Sequence, residues 1–120
     1  MSTSMHTGRF KLDENNKPIE CGSAEYFFWQ QTLPVERRTG IGFRLQYFKR
    51  NGVAVSTVYL GMDHGWGGNE KPILWETMVF ADDEEINEIC ERYDSHEDAL
   101  IGHREMVDKY VLKGKLKGRT

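Results

Sequence analysis

The sequence predicts a single α+β domain, in which an antiparallel sheet of about three to five strands carries a helix from the N-terminal third and another from the C-terminus. Three observations lead to this fold class. Asn51-Gly52 separates two runs of strand-like composition, which is the strongest short-range signal of a β-hairpin. An amphipathic stripe follows Ser95, as expected for a helix that packs on a sheet. The chain has 120 residues, 38% hydrophobic and 29% charged, which is the composition of one soluble globular domain.

The N-terminal elements are predicted to be a short hairpin and a helix. Apolar residues at 10 and 12 precede the turn-forming run 13–16, and Pro18 begins the returning strand. The next segment favours a helix with Ser23 as its N-cap, and Pro34 marks its end because a proline disfavours helical torsions in the residue before it. The aromatic residues at 27–29 are too crowded for one helical stripe, so at least one should stay partly exposed.

The central hairpin is predicted in register as well as in type. Asn51-Gly52 suits a two-residue type I′ turn, which pairs Arg50 with Val53. Because residues two apart share a face, this register defines both faces of the hairpin. One face carries the pairs Phe43–Leu60, Leu45–Val58 and Ile41–Met62, and the other carries Arg44–Tyr59, Gln46–Thr57 and Phe48–Val55.

Residues 72–80 form the third predicted strand. Both of its faces look at least half buried, which is typical of a central strand with other elements packed on each side. Glu76 is the misfit, an acid among apolar neighbours. The acidic run 82–85 is predicted to be a solvated turn and residues 89–94 a short edge strand, with a helix as the alternative.

The last helix is predicted from its cap and its stripe. Ser95 is the expected N-cap, and Asp98 completes a variant of the capping box. Residues 1–112 are thus expected to form the domain, and 113–120 a basic, flexible tail interrupted by glycine. The buried stripe consists of Ala99, His103, Met106 and Tyr110, flanked by Leu100, Val107 and Val111.

Charge and cysteine content limit the class of protein. The net charge of −3 gives no electrostatic basis for direct nucleic-acid binding. No apolar run approaches the roughly 20 residues that span a bilayer. The N-terminal stretch lacks the apolar core of a secretory signal, so we expect a cytoplasmic protein without a membrane partner. In that compartment Cys21 and Cys90 are expected to be free thiols.

The first candidate site is the glycine-rich loop that begins at Asp63-His64, because loops held by strands often carry binding residues. His64 suits a general base or a metal ligand, with Asp63 or Glu76 as its carboxylate partner. The alternative is that Asp63 closes a turn by accepting backbone N–H groups while His64 is exposed. Gly67 and Gly68 would let the backbone approach a phosphate, or would simply supply positive φ angles.

Glu76 is the second candidate, because a carboxylate on an apolar face must be paired or neutralised. The sequence offers Arg44, Arg92 and His103 as partners, and either a functional site or a structural ion pair would use them. His103 lies on the buried stripe, where a histidine is more often a satisfied core residue than a ligand.

Aromatic and acidic residues supply two further candidate surfaces. Trp66 and Trp75 flank the loop and Tyr93 follows later; such residues favour interfaces or ring stacking unless they are core aromatics. Four acids form a candidate interaction surface that would mimic nucleic-acid charge, with a plain solvated surface as the alternative: Asp82, Asp83, Glu84 and Glu85.

Three stretches, VSTVYLGMDHGWGG, PILWETMVF and ERYDSHEDALIGHREMV, resemble a group of small uncharacterised proteins encoded by tailed bacteriophages and prophages. The group's pattern is a strand ending Leu-Gly-x-Asp-His, a glycine-rich loop with prolines, a strand Phe-Glu-Thr-Met-Val-Phe, an Arg-Tyr pair and an Ala-Gly-His helix. This chain departs from the pattern at 69–71, at Trp75 and in a longer acidic insertion after Phe80. The resemblance groups five residues and so implies one polar cluster at the end of the sheet: Asp63, His64, Glu76, Arg92 and His103.

The resemblance implies a phage-encoded protein in the host cytoplasm and brings no activity with it. The leading hypothesis is a binding module, without a cofactor, that associates stoichiometrically with a host protein, either to inhibit a defence protein or to capture a nucleotide signal. The alternatives are a metal-dependent hydrolase using Asp63, His64, Glu76 and His103, and a self-associating virion or assembly component such as a homodimer. The binding residues would be Asp63, His64, Trp66, Gly67, Gly68, Trp75, Glu76, Arg92, Tyr93 and His103.

Overall fold

A computed structural model of the chain describes residues 8–63 and 71–114, with the backbone but not the side chains of 87 and 88. The predicted α+β class is confirmed: strands β3 to β6 form a four-stranded antiparallel sheet in that order, and β1 and β2 form a separate hairpin. The elements are β1 (Phe10–Leu12), β2 (Pro18–Glu20), α1 (Ser23–Gln30), a 3₁₀ turn (Val35–Arg37), β3 (Phe43–Arg50), β4 (Val53–Tyr59), β5 (Trp75–Ala81), β6 (Glu84–Tyr93), α2 (His96–Met106) and a π-helical segment (Val107–Leu112).

Two tight turns lie side by side at one end of the sheet. Asn51 and Gly52 have φ angles of 53° and 81°, as the predicted type I′ turn requires. Asp82 and Asp83 also have positive φ angles, and the Asp82 N–H donates to the Gly52 carbonyl at 2.7 Å. Because aspartate tolerates the left-handed region, the pair at 82–83 suffices for the turn. The predicted edge strand is confirmed, but the turn ends at Asp83 and not at 85, and β6 begins at Glu84 and not at 89.

The register of the central hairpin is confirmed over its turn-proximal half. Arg50 pairs with Val53, and the same register continues to Gln46 and Thr57. A bulge at Leu45 then shifts the pairing, so that Phe43 faces Tyr59 and the predicted pairs beyond this point were wrong. The bulge moves Phe43 to the face of the sheet that carries Tyr59, and both residues belong to one apolar cluster.

The helices cover one face of the sheet, which we call the inner face. Side chains at alternate positions of β4 and β5 are fully buried there: Val55, Thr57, Tyr59, Trp75, Thr77 and Val79. On the opposite, outer face the side chains of Val58, Glu76 and Met78 are only half buried. The prediction that β5 is a central strand with both faces at least half buried is confirmed, and the described elements that pack on it, α2 and the π-helical segment, lie on its inner face.

The N-terminal hairpin and α1 close one end of the inner face. The Tyr26 hydroxyl donates to the Ile41 carbonyl, and Tyr26 packs beside Trp29 over Tyr59. The N-cap of α1 is Gly22 and not the predicted Ser23, which is the first helical residue and makes no capping hydrogen bond. The crowding of aromatics has the predicted outcome, since Phe28 is 77% exposed.

Helix α2 closes the other end, as predicted from its cap. The Ser95 hydroxyl accepts from the Asp98 N–H at 3.1 Å, and Ala99, His103 and Met106 are buried. Gly102 lies against the ring of Tyr93, so closely that a Cβ at this position would overlap the ring and hydroxyl. The absence of a Cβ at this position therefore allows α2 to approach β6 closely.

Candidate functional site

Two of the predicted site residues form a cross-strand ion pair on the outer face. Glu76 of β5 faces Arg92 of β6, and Arg92 Nε donates to Glu76 Oε2 at 2.9 Å. The Cys90 thiol also donates to Glu76 Oε2, at 3.3 Å. Partial burial of this sulfur, together with the adjacent carboxylate, raises the pKa of Cys90 to about 11. Glu76 is thus compensated by partners within its own face of the sheet, and this arrangement disfavours a thiolate nucleophile.

Asp63 bridges the two ends of the glycine-rich loop. Its Oδ1 accepts from the Ile73 N–H at 2.9 Å, and its own N–H donates to the Gly8 carbonyl. These contacts match the turn-closing alternative for this side chain. The other loop candidates, His64, Trp66, Gly67 and Gly68, lie outside the described residues.

Trp75 belongs to the core beneath α1 and α2. It is fully buried, its ring lies 5.2 Å from that of Tyr59 between centroids, and the ring of His96 contacts it from α2. Its indole N–H has no hydrogen-bond partner among the described residues. The position therefore supplies packing area and does not offer a surface for a partner.

His103 and Tyr93 are joined by a chain of buried hydroxyl groups on the inner face. The Tyr93 hydroxyl donates to Thr77 Oγ1 at 3.0 Å, Thr77 Oγ1 lies 2.6 Å from Thr57 Oγ1, and Thr57 Oγ1 lies 2.7 Å from His103 Nδ1. Both threonines are fully buried, and His103 is 6% exposed. Burial lowers the pKa of His103 and raises the pKa of Tyr93, so both side chains are neutral near pH 7.

His103 also lines a groove between β3 and α2, which we call the β3–α2 groove. Helix α2 packs mainly over β4, β5 and β6, so the inner side of β3 is left partly uncovered. The groove has a volume of about 560 Å³, and Arg104 contributes the only formal charge among the described lining residues. These residues are Gln46, Tyr47, Phe48, Leu100, His103, Arg104 and Val107.

Strand β3 borders this groove and forms one edge of the sheet. Its first half is covered, because Arg37 donates to the carbonyls of Arg44 and Leu45. In its second half the pairing of Arg50 with Val53 directs alternate residues toward β4. The N–H and C=O groups of Tyr47 and Lys49 therefore point away from the sheet, and no described residue bonds to them.

The opposite edge strand, β6, is protected by its shape and charge. Its pairing with β5 shifts between Met78 and Phe80, where a large bulge interrupts the ladder. Bulges and charged side chains both hinder the addition of another strand. The predicted acidic surface lies at the start of this strand and in the preceding turn, and all four of its side chains are exposed: Asp82, Asp83, Glu84 and Glu85.

The predicted polar cluster is therefore divided by the sheet. Glu76 and Arg92 lie on the outer face, whereas His103 and Tyr93 lie on the inner face, so Glu76 and His103 cannot contact the same small ligand. Within residues 8–63 and 71–114, no three His, Cys, Asp or Glu side chains are close enough to hold a metal ion. The site that the described residues do assemble is a hydrogen-bonding histidine at the base of a groove beside an open strand edge.

Sequence reasoning missed the two threonines that connect Tyr93 to His103. Thr57 and Thr77 are cross-strand partners in β4 and β5. The signal was present, because the register places Thr57 among inward-facing residues where a lone hydroxyl needs a partner.

No protein-family model, no curated protein and no solved structure matches this chain. In the part of the chain that the structure describes, no helix is long and apolar enough to cross a membrane. The geometry of the site is therefore the basis for assigning a function.

Proposed function

We propose that this protein is a binding module that takes up an extended segment of another protein as an additional strand beside β3. The observation that carries the proposal is the open edge at Tyr47 and Lys49 next to the β3–α2 groove. In strand addition, main-chain hydrogen bonds provide affinity, and pockets for alternate side chains provide specificity. Here the outward groups of β3 would bind the main chain, and the groove would receive every second side chain.

Charge identifies the class of segment. Strand β3 contains three cations and no acid; Lys49 is paired with Asp83, so Arg44 and Arg50, together with Arg104 in the groove, carry the charge argument. These cations would repel a second basic strand, which disfavours pairing of β3 with β3 of another copy. An acidic strand whose apolar side chains alternate with its acids complements both the charge and the apolar lining formed by Phe48, Leu100 and Val107.

The resemblance to tailed-phage proteins points to a protein of the bacterial host as the partner, and inhibition of a defence protein is one consequence of such binding. Capture of a nucleotide signal has less support, because Arg104 is the one cation that the described lining residues offer to a phosphate.

A second candidate function, self-association as an assembly component, is favoured by the contrast between the two edges. Strand β6 contains four glutamates and one arginine, opposite in sign to β3. Pairing of β3 with β6 of another copy would generate open chains of subunits rather than a closed dimer. The bulge in β6 opposes this pairing. Size-exclusion chromatography with light scattering over a range of concentrations separates this candidate from a monomeric binding module.

The proposal is tested by titrating the protein with the acidic peptide acetyl-Glu-Val-Glu-Val-Glu-Val-amide and following backbone amide signals by NMR. We expect changes confined to β3 and the facing side of α2, and slower hydrogen exchange at the outward amides of Tyr47 and Lys49. The same peptide with lysine in place of glutamate should bind at least about tenfold more weakly, because like charges then face each other.

Charge reversal provides the matched control. Arg50→Glu should weaken binding of the acidic peptide. Lys109→Glu changes the net charge equally, but Lys109 lies in the π-helical segment beside β6, away from the β3–α2 groove, so this variant should bind as the wild type does. Equal loss of affinity in both variants would show that the peptide is attracted by the net charge of the protein and not by a site at β3. Exchange at Tyr47 and Lys49 that stays fast in the presence of bound peptide would refute strand addition.

A further inference from the structure

We infer that His103 presents an Nε2–H donor to the β3–α2 groove, and that the segment bound there places an oxygen acceptor, a backbone carbonyl or a carboxylate, on this group. The ligand part of this inference rests on the proposed function. The protonation pattern of the His103 ring is inferred only from the buried hydrogen bonds among Tyr93, Thr77, Thr57 and His103.

The buried hydroxyl hydrogens point from Tyr93 toward His103. The Tyr93 hydroxyl donates to Thr77 Oγ1, so the hydrogen of Thr77 needs an acceptor of its own. Thr57 Oγ1 is that acceptor at 2.6 Å, and the Thr57 hydrogen is then directed to His103 Nδ1 at 2.7 Å. In this arrangement each of the three hydroxyl hydrogens has an acceptor, as is expected for buried polar groups.

The reverse arrangement leaves a hydrogen without an acceptor. If His103 Nδ1 carried the proton and donated to Thr57, Thr57 would donate to Thr77. Thr77 Oγ1 would then accept twice, and its own hydrogen would have no described acceptor at a fully buried position. Nδ1 is therefore the unprotonated nitrogen, and the proton of the neutral ring lies on Nε2.

The Nε2 atom of His103 lies on the opposite side of the ring from the buried threonine. Thr57 binds Nδ1 from the core, and the two ring nitrogens lie on different sides of the imidazole. Since His103 also lines the groove, Nε2 is the nitrogen on the groove side, and no described residue accepts a hydrogen bond from it. The neighbouring polar groups are Gln46 of β3 and Arg104 of α2, both of which line the same groove.

The protonation pattern is tested on the protein without a ligand. Long-range proton–nitrogen NMR correlation of histidine-labelled protein at pH 7 distinguishes protonated from unprotonated ring nitrogens. We expect an unprotonated Nδ1 and a protonated Nε2 for His103. Thr57→Val should abolish this preference, whereas Ser56→Ala removes a hydroxyl from the outer face of the same strand and should not. A protonated Nδ1 in the wild-type protein, with or without a proton on Nε2, would overturn the inference and leave the proposed function standing.

The contact with the ligand is tested with the acidic peptide. His103→Asn keeps an acceptor for Thr57 but does not reach the groove, and peptide affinity should fall about three- to tenfold, the effect of one lost hydrogen bond. His103→Gln places a donor near the position of Nε2 and should retain affinity within about twofold. Equal affinity of wild type and His103→Asn would overturn the ligand contact. Absence of peptide binding to the wild type would overturn it together with the proposed function, while the protonation pattern would still be decided by the ligand-free spectrum.

Discussion

Replacing Gly102 by alanine tests how closely α2 is held against the sheet. In an exposed helix this substitution stabilises by about 1 kcal/mol, because glycine has the lower helix propensity. Here the added Cβ would overlap the hydroxyl and two ring carbons of Tyr93, which are part of a ring held between strand and helix. Relieving the overlap requires movement of either the ring or the helix.

The magnitude follows from three contributions. Overpacking a filled site costs about 1–3 kcal/mol, and displacement of Tyr93 would break its hydrogen bond to Thr77, a further loss of about 1 kcal/mol. The gain in helix propensity offsets about 1 kcal/mol of this. We therefore expect Gly102→Ala to lower the free energy of unfolding by about 1–3 kcal/mol.

A double-mutant cycle makes the prediction specific. In the background Tyr93→Val, which keeps a strand-forming residue but removes the ring, Gly102→Ala should instead stabilise by up to about 1 kcal/mol. Urea unfolding of the wild type, the two single variants and the double variant, followed by circular dichroism, measures the free energy of unfolding of each protein in the cycle. If Gly102→Ala stabilises the wild-type background, or has the same effect in both backgrounds, the close approach of helix and ring is refuted.

Three further outcomes are expected. Cys90 should react slowly with iodoacetamide at pH 8, because partial burial and then Glu76 raise its thiol pKa to about 11; Glu76→Gln should speed the reaction, and peptide mass spectrometry assigns the modified cysteine. Burial lowers the pKa of His103, so its contribution to stability is complete above the ordinary value of 6.5 and declines as pH falls below it toward the lowered pKa, by at most about 1.4 kcal/mol per pH unit. Urea unfolding at pH 7 and pH 5.5 should therefore show a smaller loss for His103→Gln than for wild type, and equal losses would contradict the assignment. Asp83→Gly should stabilise by about 0.5 kcal/mol, because glycine has no steric penalty at a φ of 69° and the exposed ion pair with Lys49 contributes little; a lower urea midpoint would show that the ion pair matters more.

Local chemistry explains why several elements could be predicted from the sequence. The turn at Asn51-Gly52 and the cap at Ser95 depend on interactions between residues only a few positions apart, so a short stretch of sequence is enough to predict them. The turn also set the register correctly as far as Gln46. Beyond that position the pairing shifts, and the bulge places Phe43 opposite Tyr59, in an apolar cluster that also contains residues of the N-terminal hairpin and α1.

Tertiary structure alone decided which polar residues meet. Strand β5 has plausible apolar residues on both faces, so its pattern could not tell which face α2 would cover. Because α2 covers the inner face, Glu76 lies on the outer face and pairs with Arg92. His103 contacts Thr57, which is 46 residues away along the chain. The α+β class, the central hairpin and the capped last helix could be predicted without the structure, because short-range propensity and periodicity specify them. The groove, the open half of β3 and the buried hydroxyl chain depend on where α2 crosses the sheet, and that position involves long-range contacts such as the close approach of Gly102 to Tyr93.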